Sequence, residues 1–243
     1  ICVTRYMKNF LVDKYSIIQD KIAVIPNGLD YNKYHVVSPD ERMILKHSLG
    51  FGVDEKIIVF SGRIDHEKGI FFLIDAFIEA CRTQDNLRLV IIGQGNISEC
   101  AKKTSSYYGK VSYTGFLPID KVMAFYQIAD VGIVPSLHEQ CPYTVLEMIA
   151  NNIPLILSRI DGLNELLDDS QCIFIDPLYS EDGEMSFETK SITDAILLII
   201  NDKKKAQEIT KLYPDIIRTR FSATRFANEM LKVFKSISAS VES

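Results

Sequence analysis

The sequence carries no surplus of positive charge. Its 27 Lys and Arg stand against 32 Asp and Glu, a net charge of −5, which leaves no broad electrostatic grip for nucleic acid. It has no CxxC pair: the five cysteines, Cys2, Cys81, Cys100, Cys141 and Cys172, are odd in number and far apart. Neither a cysteine zinc site nor a disulfide framework is suggested, and a reducing, cytoplasmic setting fits best. The four histidines are scattered and add no metal-ligand spacing. Apolar stretches are broken by Asp75 or Asp194, so no transmembrane segment is expected. Initiator Met, signal peptide, internal repeat and low-complexity tract are all missing. The chain opens at Ile1 on what reads as a strand and helix already under way. It is expected to be a piece of a longer protein.

What is present is an ordinary globular composition, 47% apolar and 24% charged over 243 residues. A chain of that size buries a core without covalent staples. Short β-branched runs at 57–60, 87–92, 111–114, 131–134, 155–157 and 172–175 are apolar on both faces, as a sheet covered on each side requires. Helical patterns lie between them at 70–82, 119–128 and 143–151. This alternation predicts parallel βαβ units and a doubly wound, Rossmann-like α/β fold. Residues 1–4 read as a strand, 5–15 as a helix, and Asn27-Gly28 as a turn. Helices are expected at 192–201, 203–213 and 224–238, with Pro214 separating the last two. The acidic, Gly-interrupted segment 179–189 reads as a surface loop.

In an open parallel sheet, ligands bind where the carboxyl ends of strands run into helix N-termini. After the first strand comes Ser61-Gly62-Arg63-Ile64-Asp65-His66-Glu67-Lys68-Gly69. Its glycines let a phosphate approach the backbone, and Arg63 and Lys68 supply charge to hold it. It is not a Walker A loop, which needs GxxxxGK(S/T), and Arg63 could equally pair with Asp65 or Glu67 on a solvated loop. Gly93-Gln94-Gly95 follows the second strand without the third glycine of a dinucleotide fingerprint. Gly115-Phe116-Leu117-Pro118 follows the third. Phe116 is either a core ring or a surface for a base, and Pro118 opens a helix.

The fourth strand leads into Pro135-Ser136-Leu137-His138-Glu139-Gln140-Cys141-Pro142-Tyr143-Thr144-Val145-Leu146-Glu147. Pro142 is expected to start a helix whose first amides, of Tyr143, Thr144 and Val145, lack intrahelical partners and form an anion site. Glu147 lies in the second turn among Val145, Leu146, Met148 and Ile149. A lone carboxylate is costly there, and it sits too far along to gain from the helix dipole. A ligand's hydroxyl pair is the better account. After the fifth strand, Asp161 reads as an N-cap ahead of Gly162-Leu163-Asn164-Glu165. Cys141 has His138 nearby but no histidine–asparagine set, so it reads as structural rather than nucleophilic.

Taken together, these residues resemble the C-terminal half of a GT-B glycosyltransferase of family 4, the retaining nucleotide-sugar enzymes also described as glycosyl transferases group 1. Ile25-Pro26-Asn27-Gly28-Leu29-Asp30 resembles the entry to the second domain, and Gly62-Arg63 with Lys68-Gly69 the family's GR…KG loop. Glu139 and Glu147 match its EX7E motif, Asp161 to Glu165 its next glycine turn, and Arg220-Phe221-Ser222 its C-terminal helix entry. The resemblance implies that residues 1–20 are the last strand and helix of an acceptor-binding domain, and that 21–243 bind the donor. It implies that Arg63 and Lys68 hold the donor diphosphate without metal or cofactor, supported by Gly62 and the Tyr143 and Thr144 amides. Glu147 would bind the ribose, Glu139 the transferred hexose with the Gln140 and Cys141 amides, and Gly93 and Phe116 would lie near the base. The donor would be a nucleotide-diphosphate sugar such as a UDP- or GDP-hexose. The acceptor, a carbohydrate or glycoconjugate, would be held mainly by the upstream half. The full protein would be cytoplasmic, or peripheral at the inner face of the membrane.

Three departures stand out. Cys141-Pro142 replaces a frequent Phe-Gly and removes one N–H donor, Asp161 stands where a second glycine is common, and Asn152 replaces a helix-end glycine. Other readings are a GT-B nucleotide-sugar epimerase, which needs a different acid–base set, and a phosphorylase, whose cofactor lysine is not found. A non-catalytic α/β interaction module is the last, and it gives no reason for Glu147 on an apolar face.

Overall fold

Consecutive apolar residues point to opposite faces of a strand, so a run buried throughout needs cover on both sides. Ile57, Ile58 and Val59 are each wholly buried, as are Leu89, Val90 and Ile91 on the neighbouring strand. Each such side chain removed from water contributes about 1.5–3 kcal/mol. The computed structural model describes residues 1–241. It begins with helix α1 (Arg5–Tyr15) and helix α2 (Pro39–Ser48). There follow β1 (Lys56–Ser61), α3 (Ile70–Cys81), β2 (Leu87–Ile92), α4 (Ile97–Lys103), β3 (Val111–Gly115) and α5 (Ile119–Ile128). Next come β4 (Val131–Val134), α6 (Tyr143–Ala150), β5 (Leu155–Ser158), α7 (Asp161–Asn164) and β6 (Ile173–Ile175). A hairpin of β7 (Pro177–Tyr179) and β8 (Met185–Phe187) then precedes α8 (Thr189–Asn201), α9 (Lys203–Thr210), α10 (Tyr213–Arg220) and α11 (Ala223–Val241).

Strands β1 to β6 form one parallel sheet in the order β3-β2-β1-β4-β5-β6. The strand order reverses between β1 and β4, the place in a doubly wound sheet where a crevice opens. Helix α3 presents Ile70, Leu73, Ile74, Phe77 and Ala80 at helical spacing to the core and packs on α8, while α2 packs on α5 and α10 on α6. The expected fold is the observed one, Rossmann-like and doubly wound.

Local expectations fare unevenly. Residues 1–4 are no strand; Cys2 makes a single parallel bridge to Val24. Pro214 does not separate the helices at 203–213 and 224–238 but sits in the first turn of α10, where its missing N–H costs nothing. The acidic segment expected as a loop is mostly the β7–β8 hairpin, with only Ser180–Glu184 as its turn. Helix α2 was not anticipated, although Ser38 and Glu41 form a capping box around Pro39. The helix at 5–15 is as expected, with Thr4 accepting from the Met7 amide as its cap.

Candidate active site

The loops after β1 and β4 face each other across the point where the strand order reverses. They are fastened by backbone: the Leu137 amide donates to the Glu67 carbonyl at 2.8 Å. Gly69, at φ 68°, approaches so closely that a Cβ there would stand 1.9 Å from the Pro135 oxygen. This packing brings Lys68 to Glu139. Lys68 Nζ lies 2.5 Å from Glu139 Oε1, and Ser136 Oγ donates to the same oxygen at 3.1 Å. Both contacts fall on Oε1, which leaves Oε2 to accept from a ligand hydroxyl. Arg63 lies farther out and exposed, its guanidinium held by Asp65 at 2.9 Å and Glu67 at 3.0 Å. The solvated pairing considered for Arg63 is therefore real, with both acids at once. Such exposed pairs contribute about 0–1 kcal/mol, so they hold the guanidinium only weakly.

On the other side of β1, a cleft of 310 Å³ is lined by Ser61, Gly62, Arg63, Gly93, Phe116 and Leu117 among others. Phe116 is 74% exposed. The core alternative for this ring is thus excluded, and its face is open at the cleft mouth. Gly93 serves loop packing, since a Cβ would meet the Gly62 carbonyl oxygen at 1.8 Å.

Helix α6 begins after Pro142, as expected, but the Val145 amide is spent on the Pro142 carbonyl at 3.2 Å. Only the Tyr143 and Thr144 amides of its first turn stay without a backbone partner among the described residues. Glu147 is partly buried on this helix, and no hydrogen bond or ion pair engages its carboxylate among the described residues. Burial alone pushes its pKa up to about 7. Its charge in turn adds to burial in raising the Tyr34 hydroxyl to about 12 and in raising that of Tyr126. The Tyr126 hydroxyl is buried without a well-formed hydrogen bond. Tyr143, Thr144 and Glu147 line neither the 310 Å³ cleft nor a crevice of 230 Å³ that Glu139 forms with His138, Gly162 and Tyr179.

Cys141 is 3% exposed, and burial pushes its thiol up to about 11, which suits a structural residue and not a nucleophile. Its carbonyl accepts from Asn27 Nδ2 at 2.6 Å, and the Gln140 side chain accepts from the Thr4 hydroxyl. Sequence pattern assigns Asn27 only a turn and Thr4 no role. The IPNGLD segment also pairs with the chain at 221–223, where the Leu29 amide donates to the Phe221 carbonyl at 2.7 Å. Asp161 is not the expected cap: Ile160 occupies the N-cap position of α7, with no side-chain cap bond. Gly162 fits there because a Cβ would lie 2.0 Å from the Glu139 carbonyl oxygen.

A wider cavity of 700 Å³ lies around Val3, Thr4, Glu165 and Arg225, and Thr4 joins it to the Glu139 loop through Gln140. Glu165 caps α1 through the Arg5 and Tyr6 amides at 2.8 and 2.7 Å. Arg225 is bonded to Glu229 and to the Pro26 carbonyl. These groups are spent on joining α1 and α11 to the rest of the fold.

A protein-family model described as glycosyl transferases group 1 matches residues 41–212. An uncharacterized glycosyltransferase of Methanocaldococcus jannaschii is 31% identical over 171 residues, which is 69% of this chain and 44% of the relative. Among solved structures, Anabaena HepE in complex with UDP and glucose aligns with a TM-score of 0.84 at 17% identity, over 97% of this chain and 62% of that one. The C-terminal domain of LpcC, a glycosyl transferase group 1 family protein of Francisella tularensis, aligns with a TM-score of 0.68 at 19% identity. It covers 81% of this chain and 100% of that one. The chain thus spans under half of the first relative and under two thirds of the HepE chain.

Proposed function

The chain belongs to the group 1 glycosyl transferases, and on that basis we propose that it is the donor-binding part of a retaining, family 4 hexosyltransferase that uses a nucleotide-diphosphate sugar. The observation that carries this reading is the juxtaposition, at the reversal of strand order, of the Arg63–Lys68 loop with Glu139 and the helix bearing Glu147. The UDP and glucose held by Anabaena HepE support a donor of the same class, a UDP- or GDP-hexose.

In this reading the base lies in the cleft beside Phe116 and Gly93, and the ribose hydroxyls donate to Glu147. The diphosphate sits at Gly62, Arg63, Lys68 and the Tyr143 and Thr144 amides. A lysine ammonium has three donors, so Lys68 holds Glu139 and a phosphate oxygen together. Glu139 is thereby oriented with Oε2 toward the transferred hexose, assisted by the Gln140 and Cys141 amides. As the glycosidic bond breaks, negative charge develops on the leaving diphosphate, and Lys68 together with Arg63, which has exchanged Asp65 and Glu67 for the bound donor, stabilises that charge. The leaving phosphate takes the acceptor's proton on the same face of the sugar, so configuration is retained, and no metal is called upon. Glu139 and Glu147 serve different parts of the donor rather than forming a glycosidase pair.

Residues 1–20 then belong to the acceptor-binding half and 21–243 to the donor half, and the chain alone transfers no sugar. The unpaired cysteines fit a cytoplasmic enzyme, and no described helix is long and apolar enough to cross a membrane. Thermal unfolding of the chain with a panel of UDP-, GDP- and ADP-sugars tests the reading. At least one is expected to raise the Tm, and Arg63→Ala or Glu147→Ala to remove that rise. A folded chain whose Tm no nucleotide shifts defeats it.

A further inference from the structure

The loop that carries Glu139 is held from three directions. The Arg63–Lys68 loop grips it through the Leu137 amide and Lys68. Helix α7 presses on it at Gly162, which leaves no room beside the Glu139 carbonyl. The third hold comes from outside the sheet. Thr4 donates its hydroxyl to Gln140 Oε1, 136 residues further along the chain, and Asn27 Nδ2 donates to the Cys141 carbonyl at 2.6 Å. Thr4 and Asn27 lie on two passes of the chain that are tied to each other. The Cys2 amide donates to the Ala23 carbonyl at 2.9 Å, and the Ile25 amide to the Cys2 carbonyl at 2.8 Å.

Thr4 is 1% exposed, and its one hydroxyl makes two bonds. The oxygen accepts from the Met7 amide at 3.2 Å as the cap of α1, while the proton goes to Gln140. Capping needs only the first of these bonds. The second decides the pose of a side chain in the candidate site. An amide side chain has an accepting end and a donating end. With Oε1 held by Thr4, the donating end of Gln140 is the one left over, and no hydrogen bond engages its Nε2 among the described residues. Gln140 lines the 230 Å³ crevice together with Glu139. Glu139 keeps Oε2 unspent, so an acceptor and a donor stand on successive residues there. A sugar hydroxyl, which both donates and accepts, is matched by such a pair.

We propose that Thr4 is a positioning residue for the sugar site: by holding Gln140 Oε1 it leaves Nε2 to donate, beside Glu139, to a hydroxyl of the transferred hexose. The proposal rests on the donor reading above. It adds that a residue of the segment assigned to the acceptor half takes part in reading the donor's sugar. The seam between the halves then runs through the hexose site rather than beside it. Thr4 makes no hydrogen bond to the loops after β1, β2 and β3 or to α6, where the base, ribose and diphosphate are placed. Its influence is therefore confined to the sugar.

Calorimetric titration of the chain with UDP, GDP and a panel of UDP- and GDP-hexoses tests this, the readout being the advantage of a nucleotide sugar over its nucleotide. Thr4→Val removes the donating hydroxyl at nearly unchanged shape, and Thr4→Ser keeps it. Expected are a loss of about three- to tenfold of that advantage in Thr4→Val, unchanged nucleotide affinity, and retention in Thr4→Ser. In a Gln140→Ala background, Thr4→Val is expected to change nothing further. Additive losses overturn the proposal, because Thr4 then does not act through Gln140. An equal advantage in the parent and a folded Thr4→Val overturns it too, as does a parent chain that prefers no nucleotide sugar to its nucleotide. Should Thr4→Val not fold for want of the α1 cap, Gln140→Ala alone decides, and its keeping the full advantage overturns the proposal. A second arm needs no ligand: the NMR signals of the Gln140 side-chain amide are expected to move in Thr4→Val and to stay in Thr4→Ser. Failure of every nucleotide to bind defeats the donor reading, whereas unmoved Gln140 signals in Thr4→Val defeat the positioning role.

Discussion

Glu147 shows how much one residue's surroundings decide. Free in water its carboxyl titrates near 4.5, and in the fold burial moves it to about 7. The folded state favours the protonated form, so the group's contribution to stability is complete below about 4.5 and is lost as pH rises through about 7. The melting temperature of the nucleotide-free chain is expected to carry that loss, and Glu147→Gln to flatten it in a pH series from 4 to 8. Ligand hydroxyls bind the carboxylate better than the acid. Nucleotide affinity is therefore expected to rise across the same interval in the parent chain and to stay level in Glu147→Gln, as measured by calorimetry. Gly162 is a second such residue. A methyl group there would meet the backbone of Glu139 at 2.0 Å, and backbone cannot step aside as a flexible side chain does. Gly162→Ala is expected to cost about 1–3 kcal/mol in denaturant unfolding and to displace the Glu139 loop, lowering nucleotide-sugar affinity more than nucleotide affinity. Asn152 shows the converse: it takes φ 58° at the end of α6, the left-handed conformation a glycine would otherwise supply.

At the scale of elements, β1, β2, β4 and β5 are legible because burial on both faces leaves little room for polar residues, whereas the edge strand β3 (VSYTG) is only partly buried and keeps Ser112 and Thr114. The elements that escaped are those whose signals point elsewhere. Helix α2 buries only Lys46, whose ammonium donates to the Val53 and Glu55 carbonyls, so it has no apolar stripe to announce it. Its start is written instead in the Ser38–Glu41 box. Ser38→Ala removes that cap and is expected to cost about 1 kcal/mol, or roughly 2–4 °C in Tm for a chain of this size. Helix α10 was hidden by Pro214, a helix breaker in the interior and harmless in the first turn. The hairpin was hidden by its acidic turn, although its strands end on the buried Phe187.

The whole molecule places the site at the reversal of the sheet, and there the limits of one domain become plain. The edge of a single sheet gives a donor one wall, while the relative from Methanocaldococcus jannaschii has more than half its length outside the match. The 243-residue chain is expected to bind the nucleotide sugar and to release no transferred product in an assay with saccharide acceptors. Turnover by this chain alone would show that both walls are present.

Composition and pattern by themselves determined the fold class, because hydrophobic periodicity and strand–helix alternation are properties of short windows. They also singled out Arg63, Lys68, Phe116, Glu139 and Glu147, since each follows a strand end or breaks an apolar face. What they could not decide is which of these meet. Lys68 and Glu139 are 71 residues apart in sequence, and Asn27 and Cys141 114 apart. The neighbouring of β1 and β4 brings Lys68 to Glu139, and the pairing of Leu29 with the chain at 221–223 holds the segment that brings Asn27 to Cys141. Tertiary structure alone buries Glu147, which raises its pKa, leaves Asp161 outside the cap of α7 and brings Tyr179 and Glu139 to one crevice. Burial and proximity are properties of the folded chain, and no local window contains them.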